Sequence, residues 1–221
     1  MNHSADNKRI AKNTFLLYLR MLFNMVVSLY TSRIILKILG VDDFGIYNVV
    51  GGIIVMFTFL NSAMAASTQR FLSFELGKRE NIHKVFSSSV LIHRIIALIV
   101  LLSGETIGLW FVNTQLNIPS LRMDAANVVY QCSIFICLLN IISIPYNATI
   151  IAHEKMKAFA YISIIETSLK LVAVLLLPIF SSDKLKLYAL FLLGISIIIR
   201  LLYTQYCYKN FPEIRGKLHQ D

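Results

Sequence analysis

Charge is scarce in this chain, and acid is scarcer than base. Asp, Glu, Lys and Arg together make up 15% of the residues, with 12 acids against 21 bases. There are three cysteines, Cys132, Cys137 and Cys207, at no disulfide-framework or metal-ligand spacing, so free thiols are expected. His93 and His153 have no partner at ligand spacing either. There is no Gly-rich phosphate loop and no nucleophile motif. The only adjacent acids, Asp42-Asp43, sit in a short turn. These absences argue against a metal centre and against an enzyme with clustered catalytic acids, and no cofactor is expected. Strand alternation, low-complexity sequence and a soluble domain are missing as well. The first apolar run is longer than a signal-peptide core of about 7–15 residues and ends without a small-residue cleavage site, so it reads as a retained span.

What is present is hydrocarbon. Of 221 residues, 57% are hydrophobic, where a soluble domain carries about 45–50%, and mean hydropathy is +0.67. The excess is gathered into long runs, and a helix needs about 20 apolar residues to cross a bilayer. Six stretches qualify, roughly 13–36, 44–67, 85–112, 127–152, 158–180 and 186–206. The expected fold is therefore an all-α polytopic bundle of six membrane helices, with a polar segment at 1–12 and a basic tail at 207–221. The breaks carry turn chemistry. Gly40 to Gly45 forms one turn, with Asp42 or Asp43 expected to cap the second helix, and Asn117-Ile118-Pro119-Ser120 forms another.

The net charge of +9 does not point to nucleic acid, because the bases sit at the ends of apolar runs. One side of the membrane collects Lys8, Arg9, Lys12, Arg70, Lys78, Arg79, Lys84, Lys155, Lys157, Lys209, Arg215 and Lys217. The other collects Lys37, Arg122, Lys184 and Lys186. Positive charge favours the cytoplasm, so both termini are expected there.

Seven ionisable residues fall inside the runs: Arg20, Arg33, Arg94, Glu105, Glu166, Lys170 and Arg200. A charge at the bilayer centre costs at least about 2.5–3.5 kcal/mol, so such residues turn toward other helices or water. At about 100° per residue, Arg94 and Glu105 share a side of the third run with Ser87. Arg20, Asn24, Ser28 and Thr31 fall in a sector about 80° wide, and Ser163, Glu166 and Lys170 share a face of the fifth run. These stripes suggest a bundle around a hydrated cavity. Arg33 is expected to snorkel to the head groups, while Arg200 either snorkels or faces inward. Glu166 and Lys170, in the favourable i,i+4 order, are either a structural pair or cavity residues. Arginine suits phosphate and stays charged; a carboxylate suits a cation or a proton. Gly51-Gly52 with Ala63, Ala65 and Ala66 gives the second span a close-packing surface, and Pro145, near Asn140 and Asn147, predicts a kink.

The segment from Ser32 to Lys78, with its turn LGVDDFGIY, resembles the opening of bacterial polysaccharide flippases. The stretch YNATIIAHEKMKAFAYISIIETSLKL resembles their fourth span, basic loop and fifth span. The chain is identified as a member of the polysaccharide and O-antigen flippase branch of the MOP exporter superfamily, matching the N-terminal lobe of a MATE-like two-lobe transporter. The resemblance implies flipping of an undecaprenyl-diphosphate-linked oligosaccharide across the bacterial inner membrane, in lipopolysaccharide, O-antigen or capsule synthesis. It also implies a basic cavity, which Arg20 fits. Arg94 and Lys170 are further phosphate candidates by charge and placement, and Glu105 and Glu166 are candidates for ion or proton coupling. The expected partners are the lipid-linked oligosaccharide, membrane lipids and a second lobe. That lobe would be a missing C-terminal half or a second copy, and a truncated chain is the favoured expectation. Three alternatives stay open: a MATE-type cation-coupled drug antiporter, a membrane-embedded enzyme of the polysaccharide pathway, and a non-transporting subunit or remnant. The arginine-rich spans count against the first, and the lack of clustered acids against the second.

Overall fold

The computed structural model describes residues 3–78 and 81–214, with side chains described at 11–52, 54–55, 61–78 and 81–214. Among them there is no strand. Helical backbone runs from His3 to Lys78 with a single break at Gly40, whose φ of 79° and ψ of 174° leave the helical region. Glycine adopts that φ at little cost, and a side chain there would be strained. The break divides the stretch into α1 (3–39) and α2 (41–78). Next come α3 (Ile82–Thr114), α4 (Met123–Ala152), α5 (Met156–Leu176) and α6 (Lys184–Asn210).

Gly40 reverses the chain. On α1, Asn24 lies against Ser163 and Ile35 packs with Val174 and Leu177, so α1 and α5 run in the same direction. On α2, Asp43 meets Arg122 just before α4, and Asn61 meets the middle of α4, so α2 descends beside α4. The expected helix caps are corrected here. The turn is one residue long, so Asp42 and Asp43 already lie in helix, and Asp43 bonds to Arg122 instead.

The helix α4 forms the centre. Its apolar residues point to all sides, and half of its positions are buried; a helix that is apolar all round belongs in a core. It continues through Pro145 to Ala152. The outer helices keep large apolar side chains exposed, among them Leu29 at 67% and Trp110 at 56%. Such surface is stable against lipid. Five stretches of the described residues are long and apolar enough to cross a membrane: Ala11–Gly52, Ile82–Thr114, Ser120–Ala152, Met156–Ile179 and Lys184–Asn210. The expected second span, 44–67, is helical throughout, but its side chains at 53 and 56–60 lie outside the described residues. So do residues 1–2 of the expected N-terminal segment and 215–221 of the basic tail.

A clamp closes the end of the bundle that carries Gly40. Arg122 donates through Nε to Asp43 Oδ1 at 2.7 Å and through Nη2 to Asp43 Oδ2, and through Nη1 to Asp183 Oδ2 at 2.6 Å. The other Asp183 oxygen caps α6, accepting from the amides of Leu185 at 3.0 Å and Lys186 at 3.3 Å. Burial pushes the Asp183 carboxyl up, but the Lys186 amide, the Arg122 guanidinium and the Leu185 amide outweigh it and hold the group below its ordinary range. At the opposite end, His153 Nε2 and Glu213 Oε1 lie 2.6 Å apart and the His153 ring stacks on Phe211.

Candidate functional site: a polar compartment within the bundle

Two cavities open between α2, α4, α5 and α6. One, of about 410 Å³, is lined by Asn48, Tyr188 and Lys170 among others. The second, of about 380 Å³, is lined by Asn61, Ser143, Asn147, Ser163, Arg200 and Tyr203 among others. They share Asn140, Glu166 and Ser196. Glu166 thus stands on the wall common to both.

Helical spacing builds the walls. On α4, Asn140, Ser143 and Asn147 recur at i, i+3 and i+7, which aligns them on one face. On α5, Ser163, Glu166 and Lys170 do the same. On α6, Ser196, Arg200 and Tyr203 follow the same rule and meet them. From α1, the Asn24 amide nitrogen donates to Ser163 Oγ at 2.8 Å, and Thr167 Oγ1 donates to Asn24 Oδ1 at 2.9 Å. Those bonds fix the register of α1 on α5.

The charges do not balance. Lys170 Nζ donates to Glu166 Oε1 at 2.5 Å, so Glu166, the one carboxylate among the described residues of the compartment, is already matched. Arg200 donates from Nη1 to Ser143 Oγ at 3.2 Å and lies over the Tyr146 ring at 5.2 Å. Arg20 lies 4.6 Å over the ring of Phe159, which lines the second cavity, and its Nε is buried without a partner. Among the described residues, no carboxylate pairs with either arginine. Two acceptors, Asn61 Oδ1 and Asn147 Oδ1, are also buried without partners on the Arg200 cavity. An unpaired buried polar atom costs free energy comparable to a lost hydrogen bond. The compartment therefore suits a ligand that is anionic and also carries hydrogen-bond donors.

Of the residues singled out from sequence, Glu166 and Lys170 line the compartment and Arg20 adjoins it through Phe159. Arg94 is exposed on α3 and lines neither cavity. Glu105 lies in a π-helical turn, Gly104–Gly108, where its Oε2 accepts from Gln131 Nε2 at 3.0 Å; it too lines neither. Arg33 is exposed. Arg200, which its place in the sequence left between snorkelling and an inward role, faces inward. Sequence reasoning missed Asn61, and it read Asn140 and Asn147 only as neighbours of a proline. The 140, 143, 147 spacing was the signal that could have found the α4 stripe.

The chain matches the family model described as "Polysaccharide biosynthesis protein" over residues 10–219. No curated protein and no solved structure matches it.

Proposed function

We propose a function from the premise that the chain belongs to the polysaccharide biosynthesis protein family: it transports an undecaprenyl-diphosphate-linked oligosaccharide across the bacterial inner membrane. The observation that carries this reading is Arg200, held inside a membrane bundle with no carboxylate among the described residues to match it. A diphosphate supplies that missing charge, since guanidinium binds phosphate oxygens through paired hydrogen bonds. Arg20 adds a second cation beside the same cavity, behind the Phe159 ring that lines it. The unpaired carbonyls of Asn61 and Asn147 suit sugar hydroxyls, which donate. The chain is read as a transporter, with no chemical step assigned to any residue. Glu166 is the candidate coupling group, because it stands between the two cavities and holds Lys170. Alternating access needs one repeat to rock against another, so this bundle would work against a second lobe, which a second copy of the chain supplies where the chain is alone in a bilayer.

Export in a cell that depends on this chain tests the reading. Arg20→Ala and Arg200→Ala should each reduce surface polysaccharide at least about tenfold, the weight of one charge-assisted hydrogen bond, at unchanged membrane levels of protein. Export at the unsubstituted level in both variants would overturn it.

A further inference from the structure

A separate cavity of about 660 Å³ lies between the last turns of α2 and the start of α3 and shares no lining residue with the polar compartment. Its rim is apolar and open: Phe71 is 60% exposed and Ile92 54%. Its inner wall is polar and closed. His93 is 3% exposed, and Thr68 and Ser89 are 8% each. The Thr68 and Ser89 hydroxyls lie 3.2 Å apart, and His93 Nδ1 is 2.7 Å from the Ser89 carbonyl. A carbonyl only accepts, so Nδ1 carries the hydrogen, and in the neutral ring Nε2 is a bare acceptor. That Nε2 is buried without a partner. Glu75 Oε2, on the same cavity, is also buried without a partner.

The unpaired oxygen of the Glu75 carboxylate asks for a positively charged group with N–H donors; His93, on the far side of the Thr68–Ser89 contact, is out of reach of the same group. The apolar rim among membrane helices asks for an occupant that comes from the bilayer. We propose that this cavity binds the primary-ammonium head group of an aminophospholipid, its N–H groups donating to Glu75 and its acyl chains leaving past Phe71 and Ile92. A quaternary ammonium has no N–H and leaves the Glu75 oxygen unpaired. An anionic head group brings no positive charge to Glu75.

Native mass spectrometry of the full chain in detergent tests this with an equimolar mixture of phosphatidylethanolamine, phosphatidylcholine and phosphatidylglycerol of identical acyl chains. Phosphatidylethanolamine should be retained about tenfold over phosphatidylcholine, the weight of one charge-assisted hydrogen bond. Glu75→Gln, which keeps the shape of the side chain, should remove that preference. Equal retention of the three lipids by the unsubstituted chain, or a preference for phosphatidylglycerol, overturns the proposal without any variant having to fold. A preference that survives in Glu75→Gln overturns it too.

Discussion

Arg200 has exchanged water for a serine hydroxyl and the face of a tyrosine. Neither neutralises it, so the residue is a burden on stability that an anionic ligand would relieve. Arg200→Met should therefore leave the thermal midpoint in detergent unchanged or raise it, even as export falls; a lower midpoint together with normal export would mark Arg200 as purely structural. Glu166 and Lys170 behave in the opposite sense. Replacing Lys170 alone strands a carboxylate, whereas replacing both by an apolar pair of matched size strands nothing. The single change should be the more destabilising of the two in a denaturation series, though by less than for a fully buried pair, because both side chains keep over a third of their surface exposed. Asp183 adds a pH dependence. Its carboxyl sits below its ordinary range in the folded protein, so its contribution is fully present above the unfolded value of about 3.9 and is lost as pH falls through the lower folded value. Asp183→Ala should cost about 0.5–2 kcal/mol near neutral pH, the weight of a helix cap. That cost should shrink when unfolding is followed below about pH 4. At this scale the sequence was a partial guide. The pairing of Glu166 with Lys170 follows from i,i+4 spacing on one helix. The inward turn of Arg200 depends on Ser143 and Tyr146, which lie on another helix, and no local pattern encodes that.

Helices were the most legible level, because apolar runs of membrane length admit few other structures. The reversal at Gly40 was legible as a turn, but its one-residue span was not, and so the capping expectation for Asp42 and Asp43 failed. The π turn of α3 was not legible either. It forms where the Tyr130 hydroxyl donates to the Gly104 carbonyl at 2.8 Å, across 26 residues of sequence. Gly108 is what lets Tyr130 in, since a Cβ at that position would lie 1.9 Å from the tyrosine oxygen. Gly108→Ala should cost roughly 1–3 kcal/mol by overpacking. Gly77→Ala, with nothing within 4 Å of its added carbon, serves as the control and should be neutral or mildly stabilising in the same unfolding assay. Equal effects at both sites would mean that the tyrosine moves aside freely.

At the scale of the molecule, the bundle has an apolar coat, a clamp of Arg122, Asp43 and Asp183 at one end, and a compartment in its middle whose cations exceed its acids. Coat and clamp explain how the chain lives in a membrane; the excess charge is what a transporter of an anionic lipid needs and a passive anchor does not. The long hydrophobic runs announced the coat, and the deep arginines announced that some cavity exists. Which arginines reach it was settled by helix packing. Arg94 shares a sequence face with Glu105 yet ends exposed, because the buried side of α3 is centred on Phe86, Val90, His93 and Ala97, to one side of it.

The most direct test is reconstitution. Liposomes carrying the purified chain are loaded with a fluorescent undecaprenyl-diphosphate-linked oligosaccharide, and the fraction reaching the outer leaflet is read with a membrane-impermeant quencher. The account requires translocation by the unsubstituted chain, at least about tenfold slower in Arg200→Ala and inhibited by excess diphosphate-bearing lipid. Translocation at the same rate in Arg200→Ala, or a protein that moves neutral and diphosphate-linked lipids equally well, would contradict it.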